Sequence, residues 1–352
     1  MKKMVPALAA TAVLALGLSA CGSSSGGSTN SASVDTSSLP ALVAAAKKES
    51  GTITVYSQMP AASQTALDKA FTEKYGIKVN AVSLQGNTIY TRFESEARAG
   101  GSPADVLIDT DPTANFAEEQ EGLLIGWSKS GVPPLLPDFP SQYVLKDYDV
   151  PLLQTIDTGF IYNTDKISKS ELPTTWAELA APKYKGLLCT TLPDTSIDNA
   201  VFFQVMLDKS GAGTLKGIGA NIGTTYSDVL AENAGVGAGE CGLGFNSASF
   251  FVQPMVANGQ HVAFAPMPST YYPPTVAAVN AKAQDPNSAR LYLEYIESEE
   301  GNVVLNAPGS GSLGPYSPAS DFPSPYAETP PSQYTTASAN INTLMGDLGQ
   351  NG

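Results

Sequence analysis

Residues 52–84 read TITVYSQMPAASQTALDKAFTEKYGIKVNAVSL, and this stretch decides the fold. Thr52–Ser57 is a β-branched run that is typical of a buried strand. Pro60 marks the start of a helix, apolar residues then recur at helical spacing, and Gly76 ends that helix. Ile77–Leu84 is the next strand. Two strands joined by a helix predict a parallel β-α-β unit.

The same alternation extends in both directions along the chain. Helices are predicted over Leu39–Ser50 and Thr88–Ala99, from Pro112 to Gly122, from Thr174 or Thr175, over Ala200–Leu207, and through Ala289–Ile296. Further strands are predicted at Ala104–Ile108, Asp149–Tyr162, Leu187–Thr191, Gly242–Asn246, Val262–Ala265 and Val276–Val279. Such a sequence indicates an α/β fold with mostly parallel sheets.

The N-terminus carries the signals of a secreted lipoprotein. Lys2 and Lys3 precede an apolar stretch over Val5–Leu18, which predicts a signal peptide over residues 1–20. Leu18–Cys21 resembles the bacterial lipobox, so Cys21 is the predicted lipidation site. Residues 21–38 follow as a Ser/Gly-rich flexible tether. We therefore expect an extracytoplasmic protein, lipid-anchored to the cell membrane at the cell surface or in the periplasm; the alternative is an ordinary signal peptide that contains a cysteine.

The composition excludes several classes of function. There are 33 acidic and 19 basic residues, a net charge of −14 and a pI of about 4.4, which argue against a nucleic-acid-binding protein. Cleavage would remove Lys2 and Lys3, so 17 basic residues against 33 acidic ones give −16. One histidine, His261, and two cysteines beyond the leader cannot form a four-ligand His/Cys zinc site.

Cys189 and Cys241 would lie in an oxidising compartment. Each is part of an apolar, strand-like stretch, so a cross-strand disulfide is one prediction. Two buried free thiols are the alternative.

Several segments in order resemble one family, the bacterial extracellular solute-binding proteins of ABC importers, and most closely its branch of ferric-iron, polyamine, thiamine and phosphonate receptors. Together they span about 250 residues, behind the lipobox and tether. The matching segments are Phe71–Val79 (FTEKYGIKV), Arg98–Leu107 (RAGGSPADVL), Gly159–Lys166 (GFIYNTDK), Leu172–Leu179 (LPTTWAEL), Pro182–Gly186 (PKYKG) and Asp285–Gly301 (DPNSARLYLEYIESEEG).

This resemblance implies a two-lobed periplasmic-binding-protein-like fold of type II, in which each lobe is a central sheet flanked by helices and the ligand cleft lies at the hinge. The expected organisation is lobe 1 at 39–155, lobe 2 at 156–265, a return to lobe 1 at 266–310, and a Pro/Ser-rich segment at 311–352 that wraps the surface. The implied protein is a monomer that captures a small solute and delivers it to an ABC permease. It is not an enzyme and needs no cofactor.

Ligands of open α/β sheets lie beyond the carboxyl ends of the strands, and two-lobed binding proteins close around them. The loops that follow strands, together with the two crossovers between lobes, therefore supply the candidate ligand-binding residues. These are Tyr56, Ser57, Gln58, Asp109, Thr110, Asp111, Asp157, Thr158, Asn246, Ser247, Ser249, Tyr271 and Tyr272.

The iron-binding members of the family use a histidine, a carboxylate and two adjacent tyrosines. The family's histidine falls on Met59 or Pro60 in this chain and its glutamate near Thr110. Its tyrosine pair falls near Ser247 and Ala248, just before Phe250–Phe251. We therefore assign no metal ligands, and a ferric-iron receptor with atypical ligands is kept as the alternative.

The charged residues distinguish anionic ligands from neutral or cationic ones. Phosphate-bearing ligands are disfavoured because the three arginines all lie in predicted helices. A neutral or cationic organic solute is favoured. Carboxylates at Asp109, Asp111 and Asp157 would meet an ammonium group, and rings at Tyr56, Tyr271 or Tyr272 would supply π faces. The alternative role for Asp111 is a helix cap.

A secreted enzyme is the alternative from another functional class. The Gly-x-Ser-x-Gly sequence at Gly22–Gly26 lies in the tether, without the strand and helix of a nucleophile elbow. The Gly-x-Gly-x-x-Gly sequence at Gly237–Gly242 precedes a strand instead of a helix. His261 lies in a polar turn, as expected of a surface residue.

Overall fold

The computed structural model describes residues 33–101, 103–266, 271–307, 312–317, 329 and 331–350. The predicted signal peptide, Cys21 and most of the tether lie outside the described residues. At the end of the tether, the Asp35 backbone N–H donates to Asn287 Oδ1 at 2.9 Å. Within the part of the chain that is described, no helix is long and apolar enough to cross a membrane.

The described residues form eleven α-helices, six short 3-10 helices and thirteen strands. The helices are α1 Leu39–Ala46, α2 Ala61–Tyr75, α3 Thr88–Arg98, α4 Pro112–Gln120, α5 Ile197–Ser210, α6 Ala212–Gly219, α7 Val229–Ala238, α8 Ser249–Ala257, α9 Pro286–Glu297, α10 Glu299–Leu305 and α11 Pro331–Asp347. The strands are β1 Thr52–Ser57, β2 Lys78–Ser83, β3 Val106–Asp109, β4 Leu124–Ile125, β5 Val144–Leu145, β6 Val150–Ile156, β7 Gly159–Asn163, β8 Leu188–Thr191, β9 Ile222–Tyr226, β10 Leu243–Ser247, β11 Val262–Pro266, β12 Pro274–Asn280 and β13 Ser312–Leu313.

Lobe 1 is built on a sheet with the strand order β13-β6-β12-β3-β1-β2, to which β4 and β5 add short edges. β1 runs parallel to both β2 and β3, with Thr52 opposite Lys78 and Val55 opposite Val106. This confirms the predicted β-α-β unit. α2 and α9 cover one face of the sheet, where the Phe71 and Tyr292 rings meet edge to face, with their centroids 5.0 Å apart.

Lobe 2 has a separate sheet with the order β11-β7-β10-β8-β9. Its aromatic core is centred on Trp176, whose ring contacts Phe160 at 5.0 Å and Phe202 at 4.9 Å. A disulfide joins Cys189 on β8 to Cys241, the second residue before β10, with their Cα atoms 6.0 Å apart. It therefore links the ends of two neighbouring parallel strands.

The two-lobed α/β prediction is confirmed, with one difference in the sheets. Strands that belong to β-α-β units are parallel to their neighbours. The strands through which the chain passes from one lobe to the other are antiparallel to the strands beside them. Thus β12 is antiparallel to β3, and β7 is antiparallel to β10. The single strand predicted over Asp149–Tyr162 is two strands, because the chain leaves sheet 1 after β6 and enters sheet 2 at β7.

The C-terminal segment that was predicted to wrap the surface contains a helix, α11, that the sequence analysis did not predict. α11 packs along α5, with Tyr334, Ala337 and Leu344 buried. The apolar positions 334, 337, 341, 344 and 348 recur at spacings of three and four, which is the pattern of a helix. The many Pro, Ser and Gly residues around these positions are typical of an irregular segment, so no helix was predicted here. α11 also reaches the hinge, where Tyr334 lies in one cluster with Tyr148 of lobe 1 and Val201 of lobe 2.

Candidate functional site

A cavity of about 660 Å³ lies between the carboxyl ends of the two sheets. Lobe 1 and the crossover strands supply Gln58, Met59, Pro60, Gln85, Gly86, Asn87, Thr88, Thr110, Gln154, Ile156, Thr158, Pro273 and Thr275. Lobe 2 supplies Asp194, Thr195, Ser196, Asp198, Asn199, Ser227, Asp228, Val229, Asn246, Ala248, Phe250 and Phe251. The volume falls within the range that is ordinary for small-molecule sites.

The lobe 1 wall begins where its parallel strands end. Gln58 follows β1 and Thr110 follows β3, and the two strands are hydrogen-bonded neighbours. The Gln58 side-chain amide donates to the Gly86 carbonyl at 3.0 Å, which orients its oxygen toward Thr110. The Thr110 hydroxyl lies 3.0 Å from that oxygen. Three loops of lobe 1 are therefore tied together at the rim of the cavity.

The lobe 2 wall is made largely of the first turns of helices. Ser196 caps α5 and accepts from the Asn199 N–H at 3.2 Å. Asp228 caps α7 by accepting from the Ala231 N–H at 2.9 Å. At the start of α8, the Phe250 and Phe251 rings lie 4.3 Å apart and supply an apolar surface. This wall thus presents aromatic rings beside carboxylates.

A strand irregularity positions one more polar group. Asn246 lies in β10 at a shift in register between Phe245 and Ser247, with a φ of 68°. Such bulges redirect a side chain. The Asn246 amide donates to Asn199 Oδ1 at 2.6 Å and lines the cavity.

The two lobes touch across the cavity. Asp198, in the first turn of α5, forms a hydrogen bond with Thr110 of lobe 1. It also accepts from the Tyr271 hydroxyl at 3.1 Å. A Cβ atom on Gly86 of lobe 1 would lie 3.0 Å from the Thr195 carbonyl oxygen of lobe 2. The lobes are therefore in contact on two sides of the cavity.

Asp198 has an unusual electrostatic environment. Burial raises the pKa of its carboxyl to about 7, and the negative charges of Asp111 and Asp109 act in the same direction, against the hydrogen bonds from Thr110 and Tyr271. No lysine, arginine or histidine is among the described residues that line the cavity. Among these described lining residues, none therefore supplies a positive charge that would keep Asp198 ionised.

Asp109, a predicted ligand residue, lies behind the wall instead of on it. It is 0% exposed, and it accepts from the Tyr90 hydroxyl and from Asn115 Nδ2, the latter at 2.6 Å to Oδ2. Burial raises the pKa of its carboxyl to about 7 despite these donors. Asp109 therefore has the partners of a structural residue.

Asp111 and Asp157 also have structural partners. Asp111 caps α4 and accepts from the Thr113 and Ala114 N–H groups, each at 3.0 Å, which is the alternative that the sequence had left open. Asp157 accepts from the Ser249 N–H at 3.2 Å and from its hydroxyl at 3.1 Å. Neither carboxylate lines the cavity.

Four of the predicted residues line the cavity, namely Gln58, Thr110, Thr158 and Asn246. The others do not. Tyr56, Ser57, Asp109 and Ser247 lie within strands, and Asp111, Asp157 and Ser249 make hydrogen bonds near the ends of α4 and α8. The Tyr56 ring packs under Arg92 and its hydroxyl donates to Glu96 at 2.6 Å. Tyr271 contacts the site through Asp198. The remaining predicted residues that do not line the cavity are Ser57, Asp109, Asp111, Asp157, Ser247, Ser249 and Tyr272.

The residues that the sequence missed obey the same rule that found Gln58 and Thr110. Gln85–Thr88 follow β2, Asp194–Asn199 follow β8, and Ser227–Val229 follow β9. The rule applied to every strand points to the loops before α5 and α7, although Asp198 itself lies in the first turn of α5.

The positions that carry the metal ligands in iron-binding members were also located. Met59, Pro60, Thr110 and Ala248 line the cavity and Ser247 does not; Phe250 and Phe251, just beyond the position of the tyrosine pair, line it as well. His261 is exposed in lobe 2, where Nδ1 lies 2.7 Å from Asp165. Among the described residues, no group of three or more His, Cys, Asp or Glu side chains is arranged to hold a metal ion.

Comparisons with known proteins agree with this architecture. Residues 56–303 match the family model of the bacterial extracellular solute-binding proteins. The chain is 26% identical over 170 residues to the phosphoglycerate transport regulatory protein PgtC of Salmonella typhimurium, a match that covers 46% of this chain and 42% of that protein.

Two solved structures have the same fold. Iron-bound HitA from Pseudomonas aeruginosa is 20% identical, with a TM-score of 0.65 over 85% of this chain and 99% of that one. AfuA from Actinobacillus pleuropneumoniae, with fructose-6-phosphate bound, is 17% identical, with a TM-score of 0.66 over 86% of this chain and 99% of that one. The family match covers more than half of the chain, and the chain belongs to the bacterial extracellular solute-binding proteins of ABC importers.

Proposed function

We propose that this protein captures a small neutral or cationic organic solute in the interlobe cavity and delivers it to an ABC permease. It acts as a monomer, anchored outside the cytoplasmic membrane by a lipid on Cys21. One observation carries the choice of ligand. The cavity walls hold the carboxylates of Asp194, Asp198 and Asp228, and no basic side chain is among the described lining residues.

This charge balance disfavours an anionic ligand. Carboxylates and phosphates are bound most strongly by arginine or lysine. AfuA holds fructose-6-phosphate, and PgtC is named for phosphoglycerate transport. In this chain a phosphate in the cavity would meet three carboxylates, two of which already occupy the first turns of helices α5 and α7. Those carboxylates offset the positive helix ends that would otherwise attract an anion.

Iron is disfavoured by the chemistry of the lining. HitA is iron-bound, but the family's histidine falls on Met59 or Pro60 of this chain, its glutamate near Thr110, and its tyrosine pair near Ser247 and Ala248, just before Phe250 and Phe251. A thioether, a hydroxyl and aromatic hydrocarbon are poor ligands for a hard trivalent ion, which prefers oxygen anions. The same apolar groups suit the hydrocarbon part of an organic molecule.

Identifying the solute that co-purifies with the protein is the direct test. The protein is purified from its native source and then denatured to release any bound solute. We expect mass spectrometry to identify the released solute as a neutral or cationic organic molecule. The same molecule added back should raise the melting temperature as its concentration rises, because it binds the folded state alone. Release of a phosphorylated metabolite, or of ferric iron with a phenolate absorption band, would contradict the proposed ligand class.

Two nearby residues test whether the cavity is the binding site. Gln58→Ala removes a cavity amide, and we expect it to weaken solute binding about tenfold. Tyr56→Phe is the matched control, since its hydroxyl contacts Glu96 outside the cavity. Equal losses in the two variants would place binding elsewhere.

A further inference from the structure

We infer that Asp198 is the residue that selects a positive charge: in the closed, solute-free protein it holds a proton at the junction of the lobes, and a solute ammonium group replaces that proton on binding. This inference rests on the proposed function and narrows its ligand class from neutral or cationic to cationic.

The first argument is a count of hydrogens at the lobe junction. The Thr110 hydroxyl has one hydrogen. The Gln58 amide nitrogen donates to the Gly86 carbonyl, so the Gln58 oxygen faces Thr110 as an acceptor at 3.0 Å. If Thr110 donates to Gln58, then the contact between Thr110 and Asp198 Oδ2 is a hydrogen bond only when Asp198 carries the proton.

The second argument is the charge around this carboxyl. From lobe 1, Asp109 and Asp111 act on it by repulsion, and Asp198 in turn raises the pKa of Tyr90. The Tyr271 hydroxyl donates to Asp198 and lies 2.8 Å from the Tyr334 hydroxyl of α11. Asp194, just before α5, and Asp228, at the start of α7, line the same cavity. The titratable groups that surround Asp198 are thus acids, so either a proton or a cation must offset its charge.

The third argument is geometric. An ammonium group can satisfy the two acceptors, Asp198 and Gln58, that share the proton of Asp198 and the hydroxyl hydrogen of Thr110 in the solute-free protein. A carboxylate has about four acceptor positions, of which Thr110 and Tyr271 occupy two. When Asp198 is ionised, Thr110 turns its hydrogen toward it, and the Gln58 oxygen loses its donor. A primary ammonium in the cavity donates to both Asp198 and Gln58. The Phe250 and Phe251 rings then face the remainder of the solute.

Matched pairs of amines and alcohols test this inference. The probes are putrescine against butane-1,4-diol, and benzylamine against benzyl alcohol, measured by calorimetry and by melting temperature. We expect at least one amine to bind and its alcohol to bind at least about tenfold more weakly. Amine affinity should rise about tenfold between about pH 6 and about pH 8, as Asp198 ionises.

Two isosteric variants separate Asp198 from its surroundings. Asp198→Asn should weaken amine binding at least about tenfold and remove the pH dependence. Asp165→Asn is the control, because that lobe 2 carboxylate is exposed, pairs with His261 and does not line the cavity; it should leave the affinity unchanged. The pH profile of the unmodified protein tests the inference even if Asp198→Asn fails to fold.

The outcomes distinguish this inference from the proposed function. Alcohols that bind as tightly as the amines, an amine affinity independent of pH, or retained binding in Asp198→Asn would overturn the inference and leave a receptor for neutral solutes. Failure of both amines to bind would overturn the inference as well. Release of a phosphate or a metal from the native protein would overturn the proposed function itself.

Discussion

Asp109 and Asp198 are two acids on opposite sides of the lobe junction, and burial raises the pKa of each carboxyl to about 7. Their partners differ. Asp109 is enclosed by donors from its own lobe, Tyr90 and Asn115. Asp198 faces the cavity, and its partners come from the other lobe and from the crossover. The two carboxyls therefore have similar pKa values but different roles. Asp109 stabilises lobe 1, and Asp198 contacts the solute in the cavity.

The largest expected difference between the two acids is in folding stability. Asp109→Ala removes the nearer acceptor of the Tyr90 hydroxyl and of the Asn115 amide and leaves each only its 3.3 Å contact with the Asp111 carbonyl, so we expect a loss of about 3 kcal/mol in the free energy of unfolding. Asp198→Ala opens onto the cavity, where water can replace the carboxyl, and should cost less than about 1 kcal/mol. Urea denaturation measures both values. Equal losses would remove the distinction between the two sites.

Both acids are expected to contribute to the pH dependence of stability, together with Glu118 and Glu294, whose pKa values burial raises to about 8 and about 7. The pKa of each aspartate is higher in the folded state than its ordinary value of 3.8, so the folded protein binds more protons than the unfolded chain between about pH 4 and about pH 7. Stability contributed by the protonated carboxyls is present below this window and is lost as the pH rises through about 7. The solute-free protein should therefore melt several degrees lower at about pH 8 than at about pH 5.

A cationic solute sharpens this prediction, because it should offset the loss at Asp198 but not at Asp109. With saturating amine, the difference in melting temperature between the two pH values should shrink but not vanish, because Asp109 and other buried acids, such as Glu118 and Glu294, do not meet the solute. A solute-free melting temperature that increases steadily from about pH 5 to about pH 8 would contradict the assignment of raised pKa values to these carboxyls.

A smaller effect is expected from the C-terminal helix. Tyr334→Phe removes the hydroxyl that lies 2.8 Å from Tyr271, which in turn donates to Asp198. We expect amine affinity to fall about threefold and stability to fall by about 1 kcal/mol. Tyr184→Phe is a suitable control, because that hydroxyl donates to the Glu171 carbonyl at 2.6 Å in lobe 2. Unchanged binding in Tyr334→Phe would show that α11 supports the fold alone.

The alternating strands and helices allowed the fold to be predicted because each element is encoded locally. Thr52–Ser57 was predicted with its observed bounds, and the β-branched run and Gly76 needed no tertiary information. α11 was missed, although its apolar residues recur at helical spacing. The buried face of α11 packs against α5, a contact that the local sequence does not show.

The site was harder to predict than the fold. Gln58 and Thr110 were found because they directly follow strands, whereas Tyr56 and Asp109 were included although they lie within strands and point into packed layers. Asp198 has no distinguishing local pattern, being one acid in the first turn of a helix. Its environment arises from Thr110 and Tyr271, which lie 88 and 73 residues away in the chain.

A proton inventory of binding tests the central claim most directly. Calorimetric titration with whichever of putrescine or benzylamine binds more tightly, in buffers of different ionisation enthalpy at about pH 6, counts protons exchanged per solute bound. Both amines are fully charged at this pH, so released protons come from the protein. We predict release of about one proton by the unmodified protein and almost none by Asp198→Asn. Binding without proton release by the unmodified protein would contradict the account.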